Sequence, residues 1–321
     1  MNRYIKICMT VFILCVAVSC NRDEVFEKEQ YKNVFALVSG SDNVSTWFHD
    51  LRKSESEGYV SVSMGGTNQT TQDLNISLVE DDRLIDAYNL NAFDVNTSKH
   101  ISHLATTKYS IPGYNLTIPA GEVKASIPVK VNPKGLSPDS TYMIAFRVNT
   151  YSAYEVNPAK DYVLYQVRTK NWWSQQGGTT YNQRGNRLEV GSTANPAQVF
   201  GSKRVFPLTD KKVRVLAGTE LNDKSDVNIY NRFSIVLTIG NEVNDSIVTI
   251  APYTDVLWMN QIDGDPEFPN RAFVEDDGFK IYKTLLLCYE YKSSDGKYYT
   301  IKEELRLEFK EDPDDPRFLT K

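Results

Sequence analysis

The chain has 321 residues, of which 41% are hydrophobic and 24% are charged, and its formal net charge is −5. This composition is that of a globular protein and excludes a disordered chain, and the acidic balance disfavours nucleic acid and anionic lipid as partners. The 19 Tyr and 14 Phe, together with 13 Pro and 17 Gly, favour strands joined by turns, so we expect an all-β protein of about two domains.

The N-terminus predicts a secretory signal peptide, residues 1–20, that ends at a lipidation site. Two basic residues precede an apolar run, residues 7–18, which is too short to span a membrane. The run ends in Ala-Val-Ser-Cys, which resembles the lipobox of bacterial lipoproteins and implies a lipid on Cys20. An uncleaved anchor helix is the alternative. The acidic tether that follows, residues 21–30, resembles the export signal of Bacteroidetes surface lipoproteins. We therefore expect an outer-membrane protein that faces the cell exterior and meets the membrane only through its lipid.

The cysteines and histidines limit the chemistry of the rest of the chain. Cys8 and Cys15 lie in the signal peptide, so Cys288 is the only thiol left once Cys20 carries a lipid. This excludes an intrachain disulfide and a cysteine-based zinc site. All three histidines precede residue 104, so the second half has no imidazole for a Ser-His-Asp arrangement. We expect neither a cofactor nor a metal.

Alternating apolar residues predict antiparallel strands throughout residues 31–168. Two alternating runs within residues 114–131 flank Pro-Ala-Gly-Glu, which predicts a hairpin, and two more alternating runs follow at 142–148 and 163–167. Residues 80–91 alone read as a helix, with Asp81 or Asp82 as its cap and an apolar stripe along one side. One short helix among many strands predicts an immunoglobulin-like β-sandwich.

The same segments carry a family resemblance. ISLVEDDRLIDAYNLN and YSIPGYNLTIPAGEVKASIPVKV are similar to motifs of an N-terminal domain of unknown function found on many Bacteroidetes surface lipoproteins. In that family the domain is an immunoglobulin-like sandwich, often encoded within polysaccharide-utilisation systems and sometimes placed before a family-18 endoglycosidase domain. The resemblance covers roughly residues 31–168 and implies glycan handling, but it assigns no catalytic residue.

A second antiparallel β domain is predicted for residues 181–311, after a linker at 169–180. FSIVLTIG and IVTIAPY form one predicted hairpin, and LLLCYEY and YTIKEELRLEF form another. Glu303 interrupts the inner row of the last strand, so we expect it near a rim. This half resembles the companion C-terminal domain of the same lipoproteins, and both a sandwich and a barrel remain open. An acidic tail, residues 312–321, closes the chain.

One acidic stretch raises the question of whether the protein is an enzyme. NQIDGDPE follows the D-x-x-D-x-D-x-E signature of family-18 glycosidases, with Asn260 in its first position and Glu267 where the acid stands. That fold is a barrel of about 250 residues, for which the second half is too short, so we expect no enzyme. Calcium binding by Asp263, Asp265 and Glu267 is a weaker alternative, because oxygen ligands on a loop suit that ion.

Two aromatic segments point to glycan binding. Neighbouring side chains of an extended strand face opposite ways, so one sheet face cannot hide both rings of the Trp172–Trp173 pair. Flat rings pack against sugar faces, and amide side chains bind sugar hydroxyls. The stacking candidates are Trp172, Trp173, Tyr181 and Trp258, and the polar candidates are Gln175, Gln176, Asn260 and Gln261. For the adjacent Trp172 and Trp173, packing at the domain junction is the favoured interpretation and stacking on a ligand is the alternative.

The sequence thus predicts a non-catalytic surface lipoprotein that binds glycan as an accessory of polysaccharide utilisation. The alternative is a structural or adhesive module whose partner is a cell-surface protein. An exposed aromatic patch would favour the first function, whereas a flat apolar patch or an open edge strand would favour the second.

Overall fold

A computed structural model describes residues 32–222, 226–240 and 245–309. The predicted signal peptide, Cys20, the acidic tether and the acidic tail lie outside the described residues. Strands dominate the structure, which confirms the prediction of an all-β protein. Within the described part of the chain, every helix is too short or too polar to cross a membrane.

The first half of the chain is a two-sheet sandwich. One sheet has the strand order β10-β1-β3-β8-β6, and the other has the order β2-β11-β9-β4-β7, with β5 added beside β9. These strands are β1 (Val34–Leu37), β2 (Val44–Asp50), β3 (Ser56–Gly65), β4 (Leu74–Glu80), β5 (Ser102–His103), β6 (Tyr109–Ser110), β7 (Asn115–Ile118), β8 (Lys124–Val131), β9 (Tyr142–Tyr151), β10 (Glu155–Val156) and β11 (Tyr162–Lys170). Both sheets bury their apolar faces in one shared core that includes Phe35, Val129, Phe146 and Val167.

The predicted helix forms as α1 (Arg83–Phe93). Ile85 of its apolar stripe is fully buried against β9 and β11. The predicted cap is wrong, because Asp82 precedes the helix without a side-chain capping hydrogen bond. The Asp81 carboxylate instead accepts a hydrogen bond from Arg83 Nε at 2.8 Å. Tertiary packing of the apolar stripe therefore holds this helix in the absence of a cap.

The turn between β7 and β8 differs from the hairpin that alternation predicts. β7 pairs with β4 in one sheet, whereas β8 pairs with β3 in the other. Gly121, with φ 83°, lies in this turn and donates its amide proton to Thr70 Oγ1 at 2.9 Å. Both strands bury the predicted faces. Alternation identifies the buried face of a strand and not its neighbour, so the hairpin prediction is wrong although the strands are right.

The second half is a closed barrel of eight antiparallel strands, which decides between the two open alternatives. The ring order is β12-β13-β14-β15-β16-β18-β19-β20, and β20 pairs with β12 to close it. The short β17 pairs with β19 outside the ring. The elements are β12 (Thr179–Glu189), β13 (Ala197–Pro207), β14 (Lys212–Leu216), α2 (Val227–Phe233), β15 (Ser234–Ile239), β16 (Ser246–Pro252), β17 (Met259–Gln261), β18 (Arg271–Asp276), β19 (Ile281–Lys292) and β20 (Tyr298–Phe309).

Both predicted hairpins of this half are confirmed, and the barrel is filled by side chains. β15 pairs with β16 and β19 pairs with β20 in antiparallel register. Tyr289 and Tyr291, on the predicted inner row of β19, are fully buried. The prediction for Glu303 is wrong, because its side chain is 0% exposed and lies inside the barrel rather than at a rim. Glu303 is tolerated there because other buried side chains donate hydrogen bonds to both of its oxygens.

Direct contacts join the sandwich to the barrel. The buried Arg214 of β14 donates hydrogen bonds to both carboxylate oxygens of Asp139, at 2.5 and 2.7 Å. Asn171 donates to the carbonyl of Thr209 at 2.7 Å, and Gln176 donates to the carbonyl of Ser140 at 2.6 Å. The two-point, charge-assisted pairing of Arg214 with Asp139 fixes the orientation of these two side chains.

Candidate functional site

Trp172 and Trp173 both lie in the core of the barrel, 4% and 1% exposed. The segment that carries them is a turn and not a strand, because Asn171 Oδ1 accepts hydrogen bonds from the amides of Trp173 and Ser174. Tyr181 is also fully buried, and its hydroxyl donates to the Trp173 carbonyl at 2.7 Å. These three rings offer a sugar no open face, so packing replaces the stacking role predicted for them.

The two glutamines beside them have different environments. Gln176 is buried, and its side chain bonds the amide of Thr169 and the carbonyl of Ser140. Its predicted role as a ligand contact is therefore corrected, because its hydrogen bonds attach the linker to the sandwich. Gln175 is exposed and lines a small pocket of about 170 Å³ beside the edges of Trp172 and Trp173. Its side chain stays open to solvent.

Trp258 and Tyr298 form an exposed aromatic pair at one end of β19. They are 45% and 41% exposed, their ring centroids are 4.8 Å apart, and their planes meet at 83°. Lys292 lies opposite Tyr298 in the ladder, and its amide donates to the Trp258 carbonyl. The Lys292 Nζ lies 5.7 Å from the Tyr298 ring centroid, within the range of a cation–π contact.

A row of polar side chains follows on the same outer face. Asn260 of β17 is opposite Glu290 of β19, which is opposite Thr300 of β20. The inward neighbours Tyr291 and Tyr299 are buried, so the polar row and the aromatic row both face outward. We name this surface the aromatic face; it consists of Trp258, Lys292, Tyr298, Asn260, Glu290 and Thr300.

The aromatic face keeps two of the predicted candidates, Trp258 and Asn260. Gln261 is not part of it, because its Oε1 accepts from the Ile250 amide at 2.6 Å and its Nε2 donates to Asp263 at 2.6 Å. Sequence reasoning missed Tyr298, Lys292 and Glu290. The signal that finds them is the alternation of LLLCYEYK and KYYTIK, which sends these side chains to the face opposite the buried tyrosines.

The acidic loop holds itself together rather than forming a calcium site. Asp263 Oδ1 accepts hydrogen bonds from Gln261 and Asn270. Asp265 forms an ion pair with Lys302. Partial burial raises the pKa of the Asp265 carboxyl, but the Lys302 pairing and two backbone amides outweigh it and hold that pKa below the usual range. No three His, Cys, Asp or Glu side chains within the described ranges are grouped to hold a metal ion, so the calcium alternative for Asp263, Asp265 and Glu267 is corrected.

A second concave region opens at one mouth of the barrel. This barrel-mouth pocket has a volume of about 310 Å³, and its lining includes Ser202, Lys203 and Glu220. Beneath it, Lys203 Nζ lies 2.7 Å from the buried Glu303 carboxylate, which also accepts hydrogen bonds from Tyr289 and from a glutamine. Burial lowers the pKa of Lys203 and raises that of Tyr289. The network satisfies its own buried groups, so it stabilises the wall of the pocket.

Two family models cover most of the chain. A model described as an N-terminal domain matches residues 26–155, and its companion, described as C-terminal, matches residues 161–306. The chain belongs to this two-domain family. Membership confirms the resemblance carried by the ISLVEDDRLIDAYNLN and TIPAGEV segments and by the strands of the second half. No curated protein is a significant sequence match.

Solved structures share this two-domain fold over almost their whole length. A protein of unknown function from Bacteroides ovatus is 17% identical, with a TM-score of 0.62, covering 92% of this chain and 97% of that chain. A second Bacteroides ovatus protein of unknown function is 14% identical, with a TM-score of 0.60 and coverage of 89% and 98%. An auxiliary nutrient binding protein from Bacteroides thetaiotaomicron is 14% identical, with a TM-score of 0.57 and coverage of 84% and 92%. At these identities the likeness is one of fold.

Proposed function

We propose that this chain binds glycan through the aromatic face, as a non-catalytic, lipid-anchored accessory of polysaccharide utilisation on the outer membrane. The observation that carries the proposal is the exposed Trp258–Tyr298 pair on the outer face of the barrel. Two large rings exposed side by side form a local apolar patch, and such patches mark binding sites more often than single exposed rings do.

The polar row gives the face its second binding element. Residues two apart on a strand lie about 6.7 Å apart on the same side, so Asn260 and Glu290 are one step from the aromatic row. A sugar stacked on Trp258 then has its hydroxyls within reach of amide and carboxylate groups. The two rings are nearly perpendicular, so one of them stacks while the other forms a side wall.

Two further observations agree with a binding role. A protein of the same two-domain fold is described as an auxiliary nutrient binding protein. In addition, Asp263 and Asp265, which occupy the glycosidase-like signature, are engaged in loop hydrogen bonds and in an ion pair. These two aspartates therefore stabilise their own loop.

The N-terminal sequence supports the proposed location. A lipid on Cys20 would tether the chain through residues 21–30, and the first described strand begins at Val34. Glycan capture at the cell surface requires this arrangement.

A glycan array tests the proposal. Labelled residues 21–321 are applied beside Trp258→Ala, and Phe279→Ala serves as the matched control because Phe279 is an exposed ring at the opposite end of β19. Removing a stacking ring costs about 2 kcal/mol, so Trp258→Ala should bind roughly 30-fold more weakly, with Phe279→Ala unchanged. Binding that survives in Trp258→Ala contradicts the assignment of the site. If the wild-type chain binds no glycan, the protein-binding alternative takes its place.

A further inference from the structure

A second cleft lies where the sandwich meets the barrel, and we name it the junction cleft. Its volume is about 240 Å³, and its lining includes Asp139, Thr141, Arg168, Arg204, Phe206 and Tyr230. Small-molecule sites occur preferentially at such junctions between domains. The junction cleft adjoins the barrel-mouth pocket, since Arg204 and Tyr230 line both.

Two arginines define the chemistry of the junction cleft. Arg168 belongs to β11 of the sandwich and Arg204 belongs to β13 of the barrel, so each domain supplies one guanidinium. Gly177 and Gly178, both with positive φ, run beside them. A Cβ at Gly177 would lie 3.2 Å from Arg168 Nη1, and a Cβ at Gly178 would lie 3.1 Å from Arg204 Cβ. The glycine pair therefore makes room for both arginine side chains.

The charge of these arginines is not neutralised within the cleft. Asp139 is the acidic residue of the lining, and both of its carboxylate oxygens accept hydrogen bonds from the buried Arg214. Arg168 Nε donates to the neutral amide oxygen of Gln166 at 3.1 Å. Neither Arg168 nor Arg204 makes an ion pair with any residue that the structure describes. The cleft thus presents two guanidinium groups to a ligand.

Guanidinium groups bind carboxylates and sulfates through paired, charge-assisted hydrogen bonds. The adjoining barrel-mouth pocket adds the hydroxyl of Ser202, a group that binds sugar hydroxyls. Glu220 also lines this pocket, but its Oε1 already accepts hydrogen bonds from Ser293 and Ser294. Together the two pockets give about 240 and 310 Å³. Ligand sites begin at about 300 Å³, so the barrel-mouth pocket has the volume for a small saccharide unit, and Arg204 lies on its border with the junction cleft.

We propose that the junction cleft binds the carboxylate or sulfate group of an acidic saccharide through Arg168 and Arg204, with the rest of the ligand in the barrel-mouth pocket. The saccharide part rests on the proposed glycan-binding function, whereas the anion part rests on the arginines alone. The site is separate from the aromatic face, so each can fail without the other.

Isothermal titration calorimetry tests this site with three matched oligosaccharides: neutral galactose, galacturonate, and sulfated galactose oligomers. The protein is residues 21–321, beside Arg168→Gln, Arg204→Gln and Arg204→Lys. Arg271→Gln is the control, because Arg271 is a half-exposed arginine of the barrel that is paired with Asp245, and its strand, β18, is four strands from β13 in either direction. Equal urea midpoints establish that each variant is folded.

At least one acidic oligomer should bind tenfold or more tightly than the neutral one, with affinity that falls as salt rises. The comparison of galacturonate with sulfated galactose distinguishes the two acidic groups. Arg204→Gln and Arg168→Gln should each weaken binding of the acidic oligomer by at least tenfold. Arg204→Lys should weaken it less, because lysine keeps the positive charge but cannot donate the paired hydrogen bonds of a guanidinium group. Arg271→Gln should not change it.

The proposal is overturned if no acidic oligomer binds, or if both Gln variants bind the acidic oligomer as tightly as the wild-type chain does. Trp258→Ala separates the two sites. If it abolishes neutral binding and spares acidic binding, both proposals stand. If it changes neither while Arg204→Gln abolishes acidic binding, the aromatic face is wrong and the junction cleft is right.

Discussion

Acidification should destabilise the sandwich through its buried histidine, His49. Its Nδ1 lies 3.1 Å from the Ser56 carbonyl and its Nε2 lies 3.1 Å from the Tyr165 hydroxyl. A carbonyl oxygen only accepts, so Nδ1 carries the proton and Nε2 accepts from Tyr165. Burial lowers the pKa of His49 from 6.5 to about 4, so the folded protein holds a neutral imidazole near pH 7.

The sign of the effect follows from linkage. Between pH 6.5 and 4 the unfolded chain binds a proton at His49 and the folded chain does not, so acidification favours the unfolded state. Each pKa unit corresponds to about 1.4 kcal/mol. Lowering the pH from 7.5 to 4.5 should thus remove about 2.5 kcal/mol of the free energy of unfolding through this residue.

Urea unfolding of the wild-type chain and of His49→Gln at pH 7.5, 6.0 and 4.5 isolates this contribution. Glutamine keeps one donor and one acceptor but does not titrate in this range, so the stability difference between the two proteins should shrink by about 2.5 kcal/mol as the pH falls. His100→Gln, whose ring bonds the Asp94 carbonyl at the surface, is the control. If the difference in the free energy of unfolding between the wild-type chain and His49→Gln stays constant with pH, the reasoning is refuted.

Two further predictions concern the barrel and the anchor. Lys203→Met should lower the free energy of unfolding by about 3 kcal/mol in urea titrations, because it leaves the Glu303 carboxylate buried without its cation. Lys203→Met combined with Glu303→Gln should recover part of that loss, and no recovery would mean that the two charges are not coupled. Cys20→Ala should abolish incorporation of labelled palmitate and release the protein from the membrane fraction, whereas persistent labelling would exclude Cys20 as the lipidation site.

Alternation predicted which strand faces are buried, but not which strands are neighbours. The β15–β16 and β19–β20 hairpins followed from the sequence because short polar turns bring adjacent strands together. The turn at Gly121 has the same polar character, yet it carries the chain from one sheet to the other. Closure of the barrel depends on pairing between β12 and β20, which lie more than 100 residues apart, and no local pattern encodes that contact.

The sequence predicted only part of the candidate site, because local patterns do not show which segments meet in the fold. Trp172 and Trp173 were expected on opposite faces because a strand was assumed, but the side chain of Asn171 bends the backbone and sends both rings into one core. Trp258 was predicted because amide and acidic residues lie close to it in the sequence. Tyr298 comes from a strand about 40 residues later, so only the fold shows that it stands beside Trp258.

Buried charged side chains are the feature that hydrophobic alternation predicts least well. Glu303 breaks an apolar row, which on its own favours an exposed position. Lys203 breaks the pattern of β13 in the same way, and each residue is acceptable inside the barrel only because the other is there. The burial of Lys203 and Glu303 is not predicted when each strand is considered alone, because the oppositely charged partner lies on another strand.

Affinity electrophoresis of residues 21–321 through gels that contain host or plant polysaccharides tests the central claim most directly. The wild-type chain and Phe279→Ala should be retarded equally by at least one neutral polysaccharide, and Trp258→Ala should migrate as it does in a gel without glycan. Equal retardation of Trp258→Ala and the wild-type chain, or no retardation of any of the three proteins, would contradict glycan binding at the aromatic face.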